Sequence, residues 1–568
     1  MSEPSAQLAD LAQRYWKLEC FESPFSAILA GQSTDDAVLF RESPADHDRR
    51  AGRAAALLNE SQSVSSSRLD PQDHATLTLL RRELQRIVDF HRVSAHLRPS
   101  LFPAGPDFNL VYFANSASAN TAQAAELFVE RLATVKDYVA DLKACLRQGQ
   151  AAGFRYPGLV LERGAAAAQA NTAAELSDSP FLGPLLRSPV RDTAEVRKHL
   201  SDARRLVEQE VLPELRGYAA FLTDELEKTS RESLACTDDP AGPEFYELLV
   251  SHYTSLDSSA DEIHELGLSE VQRVEEEMAA VAAEAGYEGR LEDYRAFIGS
   301  DPSFCASSLE EHHNTVLALC KRIDQHIPAY FGRIPRITYS VRCIPEDMSE
   351  NLPPAYAQPS PADNSAPGIY WISSLLEKCP TYLYPSITLH EAWPGHLMQI
   401  ALMQEQTDLP EFRRNGALKY TACIEGWAMY CENLGEELGM YQTPHEKMGR
   451  LIGEMWRSVR LVVDTGLHTR GWSRQQAIDY LARLAPMPQP MVEAEVDRYI
   501  ALPGQALAYQ PGNLKIRELR QRAERELGSR FDIRSFHDQL IAAGPVSLPV
   551  LDNLTQHWLD QQKVTVAA

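Results

Sequence analysis

The chain has no run of apolar residues long enough to cross a bilayer, so no membrane-spanning helix is expected. Its start, Met1-Ser2-Glu3-Pro4, lacks the basic and apolar segments of a secretory leader. Positive charge is also short: 55 Lys and Arg face 79 Asp and Glu, a formal net charge of −24. Such a charge opposes nucleic-acid phosphates and anionic lipid, so neither partner is expected. The nine cysteines, Cys20, Cys145, Cys236, Cys305, Cys320, Cys343, Cys379, Cys423 and Cys431, are odd in number and scattered. No two have C-x-x-C spacing, which points to reduced thiols in a cytoplasm rather than a disulfide framework. No internal repeat appears, no low-complexity linker is long enough to separate a pair of domains, and nothing signals an oligomeric state. The 568 residues are 44% hydrophobic, enough for a large core. The expectation is one helical unit over 1–568, with 1–255 forming a cleft wall and 256–568 carrying the functional site.

The texture is helical. Ala75 to Val93 is rich in Leu, Arg and Glu with an apolar spacing near 3.6, and Ala122 to Gln150 and Thr193 to Glu227 continue the pattern. Ser259-Ala260-Asp261-Glu262 reads as a helix start with carboxylates in the first turn, and that helix is predicted to run to about Ala285. The pattern breaks between Pro335 and Pro385. Ile337-Thr338-Tyr339-Ser340-Val341 alternates and is β-branched, so it reads as a strand. Leu352 to Pro367 is crowded with Pro, Ser, Asp and Asn and reads as a loop. Gly368 to Ser373 reads as a second strand, with Tyr370 as a candidate substrate contact. Such a sheet serves either as an edge to which an extended substrate adds, or as a small structural hairpin.

One segment carries chemistry: His390-Glu391-Ala392-Trp393-Pro394-Gly395-His396. It begins like H-E-x-x-H, in which two histidines hold zinc and the glutamate is the general base. It departs from that pattern because Pro394 stands where the second histidine belongs. Positions i and i+6 of a regular helix lie about 120° apart and share no face. Pro394 removes a donor and clashes with the preceding turn, and Gly395 tolerates unusual dihedrals, so a bulge or break is predicted there. Such a deformation returns His396 to the face of His390, and Glu391 becomes the base. Glu425 lies mid-way along a predicted helix, Ala417 to Gly435, among Cys423, Ile424, Trp427 and Met429. A carboxylate in that setting is costly to bury unless it is paired or metal-bound, which makes it the candidate third ligand, with Glu432 as the reserve. On the predicted helix from Gly453 to His468, Arg457, Arg460, Asp464 and His468 form one polar stripe. Asp464 stands at the right spacing to orient or charge His468, which then stabilises an oxyanion, and the arginines have the fork geometry to grip a carboxylate. The bland reading of the stripe is a structural ion network.

The sequence HEAWPGHLMQ resembles the H-E-x-x-P-G-H motif of the bacterial domain-of-unknown-function 885 family. Glu425-Gly426-Trp427-Ala428-Met429-Tyr430, the run from Arg460 to His468, Pro503-Gly504-Gln505-Ala506-Leu507-Ala508-Tyr509 and the run from Phe531 to Asp538 fit the same family. The resemblance covers most of the chain and is dense from about Ala260 to Leu551. It implies a likeness to all-helical zinc peptidases, including metallocarboxypeptidases. It also draws attention to Arg498, Tyr499 and Tyr509; either tyrosine is a candidate oxyanion donor and Arg498 a candidate substrate contact. Many relatives carry a second histidine after P-G-H, where this chain has Leu397.

Together these readings predict an all-α, zincin-like shell with a short β-sheet beside the cleft. Zn2+ is held by His390, His396 and Glu425. Glu391, His468, Tyr499 and Tyr509 are the catalytic candidates, and Arg457, Arg460, Arg498 and Tyr370 the substrate contacts. The expected activity is hydrolysis of peptide or amide bonds in small peptides or amino-acid derivatives. The alternatives are an amide-forming or tailoring enzyme on the same scaffold and a non-catalytic helical scaffold.

Overall fold

The computed structural model describes residues 3–32, 36–172, 176–349, 352–361 and 366–564. The architecture is predominantly helical, with one small sheet, as the periodicity predicts. The elements that position the site are α1 (Glu3–Glu22), α2 (Pro71–Arg92), α3 (Ala260–Glu284), α4 (Tyr384–Glu391), α5 (His396–Gln404), α6 (Thr421–Glu437), α7 (Pro444–Thr469), α8 (Gln489–Ala501) and α9 (Tyr509–Leu527). No helix among the described residues is long and apolar enough to cross a membrane.

Local sequence explains the helix starts. Ser259 accepts from the main chain of Glu262 while the Glu262 side chain returns to Ser259, so the predicted start of α3 is a capping box. Thr443 and Glu446 do the same for α7, with Pro444 in the first turn. Caps of this kind contribute about 1 kcal/mol each. Two predicted helices are subdivided. Ala122 to Gln150 is two helices, Ala122–Ala133 and Val135–Ala152, separated at Thr134. A 3-10 turn, Ala417–Lys419, precedes α6.

The sheet holds three strands, β1 (Tyr339–Cys343), β2 (Ala355–Gln358) and β3 (Gly368–Ile372), in the order β1-β3-β2. β1 pairs in parallel with β3, Tyr339 opposite Gly368, and β2 pairs antiparallel, Ala355 opposite Ile372. This corrects two expectations. The segment read as a loop contains β2, because Ala355-Tyr356-Ala357-Gln358 is short enough for its flanking prolines to mask it. The sheet is not a hairpin, because the two strands visible in sequence run in the same direction, with β3 at the centre.

Two large apolar clusters form the core. The first joins helices between Leu101 and Ile298 to the apolar face of α7 and to α8. The second joins Leu8 to Leu84 with the sheet, α4, α5, α6, α9 and the C-terminal helices. Both therefore draw on residues either side of position 255. α3 lies along α7, α9 along α6, and α4 against both α6 and α7. The seam between α6 and α7 is thus where the two cores meet, and the candidate site lies on it.

Candidate metal centre

The segment His390 to His396 is a break between two helices rather than a bulge in one. α4 ends at Glu391, Ala392 adopts φ −84° and ψ −137°, and α5 begins at His396. Gly395 is required by close approach, since a Cβ there would lie 1.9 Å from the carbonyl oxygen of His390. The Trp427 indole N–H donates to the Pro394 carbonyl at 2.9 Å and pins the break against α6. His390 and His396 end with ring centroids 4.7 Å apart and planes at 88°. The break does what the sequence required of it and brings the two imidazoles together.

Glu425 completes the group. Its Oε2 lies 3.4 Å from His390 Nε2 and 3.5 Å from His396 Nε2. One ligand atom from each of the three residues falls within 4.8 Å of the others, and no other such group occurs among the described residues. Two nitrogen or oxygen ligands about 2.0–2.1 Å from one tetrahedral zinc stand about 3.3–3.4 Å apart, which is the separation found. Both histidines are buried, while Glu425 keeps 19% of its side chain accessible, leaving an open side. The donor set therefore fits zinc.

The surrounding groups orient these side chains. His390 Nδ1 donates to Glu432 Oε1 at 2.7 Å, leaving Nε2 free to face Glu425. Glu432 is thus the carboxylate that fixes one histidine, and not the alternative ligand. Burial by itself lowers the basicity of His390; hydrogen bonds to Glu425 and Glu432 outweigh it and hold the imidazole up at about 9. Burial also opposes charge on Glu425, but His396 and His390 pull it well below the ordinary carboxylate range. Burial raises Glu391, only partly offset by His390 and His396. Glu391 is next in sequence to His390 and is not one of the three residues of the group.

The other predicted residues divide. Tyr509 lies by the centre: burial and then the Glu425 charge raise its phenol, and among the described residues its hydroxyl meets only Gln505, at 3.5 Å. Its position follows from α6 and α9 touching at Gly426 and Gly512, where an added Cβ on Gly426 would come within 2.4 Å of Gly512 backbone. Tyr499 is fully buried and its hydroxyl is committed, donating to Glu495 at 2.7 Å and accepting from Arg460 and Trp456. Arg457 approaches Glu432 at 3.6 Å and bears on Glu391. Arg460 and Arg498 share Glu495, at 3.1 and 2.8 Å, and Arg498 also donates to Gln505.

Two placements are corrections. His468 is not a charged oxyanion donor beside Asp464. Its Nδ1 accepts from the Cys236 N–H at 3.2 Å and its Nε2–H faces the Tyr499 carbonyl at 3.0 Å, and burial lowers its pKa to about 4. Asp464 instead accepts from the Tyr246 hydroxyl at 2.6 Å and the Gly504 N–H, because α7 is buried on every side here and each polar group finds a different neighbour. Tyr370 is no substrate contact: it is buried under α4, with its hydroxyl 3.3 Å from Thr388. Sequence reasoning missed Glu495 and the Trp427 clamp. The only local sign of the α6 and α9 contact was a glycine inside each helix pattern.

A helical shell with a His/His/Glu centre at the seam of two cores defines a helical protein with a candidate metal site. The chain belongs to the bacterial family described as protein of unknown function (DUF885), whose profile matches residues 24–554. The structure is similar to that of a candidate lipoprotein from Colwellia psychrerythraea, with a TM-score of 0.90 and 26% identity over 99% of this chain and 100% of that one. A candidate lipoprotein of unknown function from Shewanella oneidensis shares the fold, with a TM-score of 0.74 and 16% identity over 98% of this chain and 100% of that one. No curated protein matches the chain.

Proposed function

We propose that the protein is a zinc-dependent metallohydrolase that cleaves peptide or amide bonds in small peptides or amino-acid derivatives. The observation that carries this reading is the spacing of Glu425 Oε2 from both imidazole Nε2 atoms, 3.4 and 3.5 Å, with an acid-base carboxylate next in sequence to one of them. His390, His396 and Glu425 hold the ion, and two histidines with one carboxylate suit zinc. Zinc bound there supplies a Lewis acid and an acidified water. Glu391 takes the proton of the attacking water and passes it to the leaving amine; its burial raises it towards that task. Tyr509 donates to the developing oxyanion, the role for which its uncommitted hydroxyl and its closeness to Glu425 recommend it. Glu432 keeps His390 Nε2 turned to the ion. β2 is an edge strand touching both α4 and α5, so an extended substrate adding to it runs beside the metal residues. The likeness to zincin-type carboxypeptidases belongs to this reading.

Replacing Glu391 by Gln tests it. The variant keeps size and metal but cannot take the proton, so zinc content stays at the wild-type level while hydrolysis of small peptide amides falls by about 10²–10⁴. Wild-type turnover in the zinc-loaded variant would remove Glu391 from the mechanism.

A further inference from the structure

Arginine gathers beside the centre of an acidic chain. Overall, acids outnumber bases 79 to 55. Beside the metal residues, two guanidinium groups, Arg498 and Arg460, share one carboxylate, Glu495, which they pull down to about 2 against the effect of burial, and a third, Arg457, lies 3.6 Å from Glu432. Glu432 is already engaged by His390, and Glu425 by both imidazoles. A second basic group lies on the N-terminal side, where Arg86 pairs with Glu83 at 3.0 Å and Lys419 with Glu19. Tyr253 lies between the two groups: Arg86 and Arg498 both act on its phenol, and it packs with Tyr509 on Ala422, Ala508 and Leu548. These cations are reachable: Arg86, Lys419, Arg498 and Arg457 keep 28, 21, 18 and 14% of their side chains accessible.

The guanidinium donors are not used up. Arg460 gives Nε to Tyr499 and Nη2 to Glu495, while its Nη1 has no protein acceptor among the described residues. Arg457 gives Nη1 to the Gly453 carbonyl, and its Nη2 has only the 3.6 Å approach to Glu432. Both guanidiniums lie over Trp456, at 5.2 and 4.3 Å, so they flank one aromatic platform. An unspent fork of this kind matches a carboxylate.

We infer that the molecule bound at this centre is an acid: an amide-linked compound whose carboxylate docks on Arg457 and Arg460, approached along Arg86, Lys419 and Arg498. The bond broken rests on the metallohydrolase reading; the recognition of the acid does not. Succinate and its neutral diamide, titrated calorimetrically into the full-length protein with and without zinc, separate the two. Succinate is expected to bind about 10- to 150-fold more tightly than the diamide in both forms, the range for one charge-assisted contact, and more tightly at low salt. Arg457→Gln and Arg460→Gln each bring the ratio towards one; Arg86→Gln weakens succinate binding less, and only at low salt. Equal binding of acid and diamide overturns the inference. So does succinate binding that needs zinc and survives both arginine substitutions, since the metal would then hold the anion. If Arg460→Gln does not fold, the wild-type ratio and Arg457→Gln decide. Selective succinate binding by a wild-type protein that hydrolyses nothing would keep this inference and remove the metallohydrolase reading.

Discussion

Two regions of the chain place histidine near acid, and they come to opposite ends. At the helix break, His390 and His396 turn their Nε2 atoms to one oxygen of Glu425, and Glu432 takes the other ring nitrogen of His390. On α7, His468 stands one turn after Asp464, yet its ring lies between a main-chain N–H and a main-chain carbonyl. The first arrangement has the donor set to hold a cation, because one carboxylate faces two imidazoles and Glu425 keeps 19% of its side chain accessible. The second locks one neutral tautomer, since one ring nitrogen must accept and the other must donate. What faces the two ring nitrogens, and not the spacing to an acid, separates a histidine available to a metal from one committed to structure.

The most direct challenge to this contrast is metal content. His390→Ala or His396→Ala is expected to reduce zinc to background in elemental analysis, whereas His468→Ala keeps the wild-type stoichiometry and loses about 1–3 kcal/mol of stability for each buried main-chain group left unpaired. Zinc retained at full occupancy in His396→Ala would remove the second ligand from the site.

The two tyrosines extend the same contrast. Tyr509→Phe should lower turnover of the zinc-loaded protein by about 10²–10³ with thermal stability little changed. Tyr499→Phe should instead lower the melting temperature, because Glu495, Arg460 and Trp456 all bond its hydroxyl. Reversal of these two phenotypes would exchange the roles.

Next in size is the orienting carboxylate. Glu432→Gln weakens the hold on His390 Nδ1 and should cost about 10- to 100-fold in zinc affinity, read by competition with a chelator. An unchanged affinity would mean that packing alone orients the ring.

The smallest effect is in the pH dependence of α7. Burial raises Asp464 from 3.8 to about 7, so its stabilising contribution is full below about 3.8 and is lost as pH rises through about 7. Burial lowers His468 from 6.5 to about 4, so its contribution is full above about 6.5 and is lost as pH falls through about 4. Asp464→Asn removes the first term only. The unfolding free energy from urea titration between pH 4 and 7 should then shift upward with rising pH relative to wild type, by at most about 1.4 kcal/mol per pH unit, because the opposing rise from His468 is left alone. An identical slope in the variant would show Asp464 ionising freely inside the fold.

Much of this was legible along the chain. Periodicity and the Ser259 to Glu262 start gave α3 its correct beginning, and Pro394-Gly395 announced the interruption that joins His390 to His396. Glu425 stood out because a carboxylate flanked by Ile424, Trp427 and Met429 needs a partner. β2 escaped because four residues between prolines carry too little pattern, and the direction of β1 relative to β3 is a property of the connection, not of either strand. The α7 stripe misled because residues on one helical face need not share a neighbour once the helix is buried all round.

Local chemistry along the chain was enough to set the helical class, the position of the break and the identity of the three residues able to hold a metal, since these follow from periodicity, from proline and glycine geometry and from the cost of burying charge. Packing in three dimensions was needed to establish that Glu425 meets both histidines, that Glu432 orients one of them, that Tyr509 and not Tyr499 is uncommitted, and that His468 is neutral. Those outcomes depend on which helices touch and how closely, as at Gly426 and Gly512. Contacts between residues some eighty positions apart leave no periodic trace in the chain that makes them.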